Sequence, residues 1–112
     1  MSGGVAKYLR RYRELDEKER LRDFKEFLRW LLTVNKGRLI TVSAKNYNRW
    51  VGGYGPLGAP EVIMFNRLVE RVFRECGVRV FEEKFEVKKG NYTRHRKWIV
   101  PRAELERLLR QL

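Results

Sequence analysis

At 112 residues the chain has room for one domain built around a single two-layer core. A hydrophobic fraction of 43% and an aromatic fraction of 12% exclude a disordered basic tail, and Trp30, Trp50 and Trp98 fall in separate segments that one core can gather. Lys and Arg number 26 against 14 Asp and Glu, a formal charge of +12, and self-repulsion on that scale points to a polyanionic partner: nucleic acid first, with a membrane surface and ribosomal RNA as competitors.

No run of about 18 apolar residues is present, so no membrane span is expected. Met1-Ser2-Gly3-Gly4 leads into no apolar stretch and does not read as a secretory signal. Cys76 is the only cysteine, which excludes an internal disulfide or a thiolate cluster and fits a reducing cytoplasm. It lies on the apolar stripe of an expected helix and reads as a structural thiol. Abundant Arg and Glu with a single Gln point to a thermophile.

In chain order, Tyr8, Tyr12 and Leu15 have helical spacing, so residues 1–15 read as a basic arm or a short docking helix. Asp16 followed by Glu19 has capping-box spacing. Leu21, Phe24, Phe27, Leu28, Leu31 and Leu32 then form one stripe at the 3.6-residue period, ending by Lys36-Gly37. Six acids and five bases across 14–32 nearly cancel, so this helix is expected to face away from a polyanion.

Residues 38–42 read as a short strand. Ser43 can cap a helix over 44–51, and the Gly-rich stretch 52–59 is a loop, with Pro60 opening the next helix. Val62, Phe65, Leu68, Val69, Val72, Phe73 and Cys76 share one side of that helix, and Gly77 stops it. Residues 78–87 are strand-like, with a change of alternation between Val80 and Phe81 that reads as a bulge. Residues 88–91 are a turn and 92–100 the return strand. Leu105, Leu108, Leu109 and Leu112 predict a last amphipathic helix after Pro101.

This order (helix, short strand, helix, helix, two-stranded hairpin) over residues 16–100 resembles the winged helix-turn-helix superfamily. The fold expected is therefore α+β: three core helices, a short strand and a C-terminal β-hairpin wing, with short N- and C-terminal helices over 1–15 and 101–112. The resemblance implies that the helix over 60–76 enters a major groove and that the hairpin over 78–100 is the wing. The 52–59 loop departs from it, being longer than the usual turn between the two helices.

The residues support the same assignment. Across 84–98, Lys84, Lys88, Lys89, Arg94, Arg96 and Lys97 oppose only Glu86 among the hairpin's central positions, a density that phosphates explain through counterion release. Tyr92 could stack or hydrogen-bond at a groove edge. An edge strand charged against aggregation would look similar. On the 60–76 helix, Arg67, Arg71 and Arg74 face away from the core with Asn66 at the flank, side chains suited to reading guanine and adenine. A solvated face is the alternative, because the helix has as many acids as bases. Lys36, Arg38, Lys45, Asn46 and Arg49 suit backbone contacts near a helix start. His95 sits between Arg94 and Arg96, whose charges favour its neutral form, and it has no Cys or His partner for a metal.

The reading is therefore a DNA-binding domain of regulatory, chromatin or replication type: nucleoid-associated, without cofactor, metal or catalysis, favouring double-stranded DNA over RNA. Terminal helices offer a route to a homodimer. RNA or ribosome binding is one alternative. A metal-dependent nuclease is another, on the strength of Glu82-Glu83-Lys84 and Glu86-Val87-Lys88, though such sites also need an Asp on an adjacent strand.

Overall fold

The computed structural model describes residues 12–51, 59–87 and 94–112. A 3-10 turn, Tyr12–Glu14, leads into helix α1, Glu17–Val34. Strand β1 is Leu39–Ser43, helix α2 Ala44–Trp50 and helix α3 Ala59–Glu75. Strands β2, Glu82–Val87, and β3, Arg94–Pro101, precede helix α4, Arg102–Gln111. The fold is α+β, with an antiparallel sheet ordered β1-β3-β2, so the last strand lies between the other two.

Local chemistry explains most of the boundaries. The Asp16 carboxylate accepts from the Glu19 N–H at 2.8 Å while the Glu19 carboxylate accepts from the Asp16 N–H at 3.1 Å, satisfying two otherwise orphaned donors. Ser43 Oγ accepts from the Asn46 N–H at 3.2 Å and starts α2. At the end of α3, Gly77 takes φ +62°, where an L side chain is strained. The Gly77 N–H donates to Arg74 O and the Val78 N–H to Phe73 O, the paired bonds of a Schellman stop.

That stop displaces the expected strand. Residues 78–80 are not strand, and β2 begins at Glu82. Val78 and Val80 belong to the link and pack half-buried against the core, so the change of alternation at Phe81 is the junction of link and strand. The return strand is described from Arg94 onward, residues 92 and 93 lying outside the described residues, and α1 ends at Val34.

One core unites the described segments. Phe24, Phe27, Leu28 and Leu31 of α1 meet Ile40 and Val42, Tyr47 and Trp50, Phe65, Val69, Val72 and Phe73, and Trp98 and Val100. Phe27 sits among aromatic rings, 5.5 Å from Tyr47, 5.8 Å from Trp50 and 5.9 Å from Phe65. Burying each such side chain contributes about 1.5–3 kcal/mol. Cys76 is half-buried against the same core.

Both ends of the described chain join in. Tyr12 is buried, whereas residues 1–11 lie outside the described residues. On α4, Leu105 and Leu108 are fully buried and Leu109 and Leu112 pack beside them against α1. The leucine stripe considered for a homodimer therefore covers the chain's own core. Arg102 closes the fold at the end of α1, donating to Gly37 O at 3.0 Å, to Leu32 O at 3.3 Å and to Asn35 O. Among the described residues no helix is long and apolar enough to cross a membrane.

Candidate nucleic-acid interface

Helix α3 turns Val62, Phe65, Val69, Val72 and Phe73 inward, and its opposite face carries Ile63, Arg67, Glu70 and Arg74 at 3- and 4-residue spacings. Two ion-pair systems hold that face from its flanks. On one side Arg71 pairs with Glu17 in the first turn of α1. On the other, Arg96 of β3 donates to Glu70 at 2.6 Å and to Glu83 of β2 through Nε at 2.9 Å, with a second bond from Nη2. The Arg96 guanidinium also lies 4.7 Å from the Trp98 ring centroid. Burial works against the Arg96 charge, yet the two carboxylates outweigh it and raise its pKa. The hydrogen bond from Arg96, then its charge, lowers the Glu70 pKa, with Arg74 and Arg67 adding smaller pulls.

Arg67 and Arg74 are exposed, and neither makes a hydrogen bond or ion pair with another described residue. Seven residues apart, they stand about 10 Å from each other along the helix axis. Between Arg67 and α1 runs a groove of about 400 Å³, lined by Glu17, Arg20, Met64, Arg67, Leu68 and Arg71. Arg20 is occupied within it: Nε donates to Tyr12 O at 3.3 Å and Nη2 to Arg13 O at 2.9 Å.

Several expected site residues serve the fold instead. Asn66 is only 6% exposed, on the inward side of α3, which keeps it from a base edge, and its Oδ1 has no hydrogen-bond partner among the described residues. Asn46 spends its side-chain donor on Thr41 O at 3.0 Å, across the turn from β1 into α2. Arg71 and Arg96 are tied to carboxylates as described. Lys36, Arg38, Lys45 and Arg49 are exposed.

Strand alternation divides the hairpin. Arg96 and Trp98 point to the core side, whereas Lys97 lies opposite Ser43 and Lys84 on the other face. Lys97 and Arg96 therefore cannot serve one flat contact. Lys88, Lys89 and Tyr92 lie outside the described residues, as do the side chains of Arg94 and His95.

Sequence reasoning missed the carboxylates. Glu17 and Glu70 look like ordinary helix acids, and their partners lie 54 and 26 residues away. Local spacing carries no trace of such pairs. Arg107 was missed for the same reason: it donates to Gly77 O at 3.0 Å and to Cys76 O at 3.3 Å, latching α4 to the end of α3.

Three of the carboxylates weighed for the nuclease alternative are engaged: Glu83 by Arg96, Asp16 by its cap, and buried Asp23 by the Tyr47 hydroxyl at 2.5 Å. Neither Asp lies on a strand. Among the described residues there is no group of three or more His, Cys, Asp or Glu able to hold a metal ion. No protein-family model, curated protein or solved structure matches the chain.

Proposed function

We propose that this chain is a winged-helix-type DNA-binding protein that docks α3 against double-stranded DNA and acts by binding, without catalysis. The observation that carries the reading is the pairing pattern on α3. Arg71 and Glu70 are taken by partners on either flank, leaving Arg67 and Arg74 as the exposed, unbridged cations of the outward face. A helix that is neutral by count thus presents two arginines on a face held from both sides, and holding the helix in place before contact lowers the ordering cost of binding.

Topology supports the winged-helix reading. Helix, strand, helix, helix and hairpin follow one another, and β1 joins the sheet beside the last strand. The +12 charge supports a polyanion. The three arginines and three glutamates of α3 cancel, so affinity rests on where Arg67 and Arg74 stand and on the cations of 36–49 and the hairpin. The biological setting in this reading is the nucleoid, in regulation, packaging or replication.

Titrating the protein against double-stranded DNA, single-stranded DNA and a structured RNA at two salt concentrations tests the reading. Tightest binding to the DNA duplex, weakening with salt, is expected. Preference for the structured RNA over the duplex would replace this reading with RNA binding.

A further inference from the structure

The groove between α1 and α3 has a chemistry of its own. Met64, Arg67, Leu68 and Arg71 are spaced three and four residues apart, which sets them in one stripe along α3. The first turn of α1 brings Glu17 and Arg20 to the same groove, and the space between them is about 400 Å³. Sites for small organic molecules span roughly 300–1,000 Å³ and combine an apolar lining with a few convergent polar groups.

The lining sorts into those two parts. Leu68 is buried and Met64 half-buried against the core, so together they supply an apolar floor. Three guanidiniums meet a single carboxylate around it, that of Glu17. Arg20 is held in place by its bonds to Tyr12 O and Arg13 O. Arg67 is exposed and makes no ion pair with another described residue. Arg71 holds Glu17, whose side chain is 71% exposed. An ion pair that open to water is weak, so an incoming carboxylate can replace Glu17 on Arg71. A DNA phosphate would use these cations and leave the apolar floor idle, whereas a small anion with a hydrocarbon body uses both.

We propose that the groove between α1 and α3 is a binding site for a small organic carboxylate, its anionic group on Arg67 and Arg71 and its hydrocarbon body over Met64 and Leu68. The site goes beyond the DNA-binding reading and stands without it. One consequence rests on that reading: Arg67 serves both ligands, so a carboxylate in the groove and a duplex on α3 weaken each other's binding reciprocally.

Methionine occurs only at positions 1 and 64, so labelling the full chain with methyl-13C methionine gives two NMR signals, and Met64→Leu identifies the one in the groove. Acetate, hexanoate and inorganic phosphate are titrated separately. Hexanoate is expected to move the Met64 signal saturably and to bind at least about tenfold more tightly than acetate, since each buried CH2 adds about fourfold. Glu17→Gln frees Arg71 and is expected to tighten hexanoate binding about threefold, a gain that misfolding cannot produce. Arg71→Gln is expected to weaken it about tenfold. Equal affinities for acetate and hexanoate, tighter binding of phosphate than of hexanoate, or a Glu17→Gln variant no tighter than wild type would each overturn the site. A saturating DNA duplex is expected to raise the hexanoate concentration required. A duplex that binds without doing so would overturn the sharing of Arg67. A duplex that does not bind would overturn the DNA-binding reading, and the carboxylate series would still decide the groove.

Discussion

The Glu70 carboxylate on α3 and the Arg96 guanidinium on β3 meet at 2.6 Å, joining the outward helix face to the hairpin across 26 residues of sequence. Arg96 also binds Glu83 on the neighbouring strand and covers the Trp98 ring. One side chain thus sets the angle between helix and hairpin, the two elements that the proposed binding mode brings to one ligand.

Removing either partner has unequal consequences. Glu70 is half-exposed, and Glu70→Ala is expected to cost about 0.5 kcal/mol, as exposed ion pairs do. Arg96→Ala removes two pairs and the contact with Trp98, and leaves two carboxylates facing each other; a cost of about 1–2 kcal/mol is expected. Denaturant unfolding of both variants checks the ranking, and equal costs would contradict the bridging role of Arg96.

The two buried tyrosines make a sharper contrast. Tyr47 donates to the buried Asp23 carboxylate at 2.5 Å, whereas the Tyr12 hydroxyl is buried with no hydrogen-bond partner among the described residues. Burial raises both phenol pKa values. Tyr47→Phe should cost about 1–3 kcal/mol, because it strips a donor from a buried carboxyl group. Tyr12→Phe should be neutral within about 0.5 kcal/mol or mildly stabilising, because it removes a polar atom that burial leaves unsatisfied. Thermal unfolding of the two variants measures both.

Glu104 contributes to the acid-side pH dependence. Its carboxylate accepts from the Arg107 side chain and from the Arg79 backbone N–H, and these bonds hold its pKa down at about 2. A depressed carboxylate pKa means that the unfolded chain binds the proton first. The stabilisation is therefore complete above the ordinary glutamate value of about 4.3 and is lost as pH falls from there towards 2. The wild-type melting temperature should fall across that window, and Glu104→Gln should show a shallower fall. Identical slopes would show that Glu104 contributes nothing to acid sensitivity.

What the chain discloses locally, it discloses well. The Asp16 and Glu19 box, the Ser43 cap, the stop at Gly77 and the α3 stripe all depend on neighbours within a few residues, where spacing dictates contact. The misplaced start of β2 has a different origin. Val78 and Val80 are apolar because they pack beside the end of α3, and a link under a core imitates a strand in composition. The candidate site was legible in outline only. Helical periodicity sets Arg67 and Arg74 outward, but Asn66 sits at a boundary angle that packing, not periodicity, resolves inward. Which arginines are spent on carboxylates is decided by tertiary contacts.

The central claim, that Arg67 and Arg74 meet phosphates or bases of a duplex, is tested most directly by the salt dependence of duplex binding, measured by fluorescence anisotropy for the wild type, Arg67→Ala, Arg74→Ala and the double variant. Both side chains are exposed and unbridged, so all four proteins should unfold within about 0.5 kcal/mol of one another. Each lost phosphate contact is expected to lower the slope of log K against log salt by about 0.9, reaching about 1.8 in the double variant. A base contact would instead leave the slope in place and cost about 1–3 kcal/mol on the preferred sequence alone. A double variant with wild-type slope and wild-type affinity on every duplex would contradict the account.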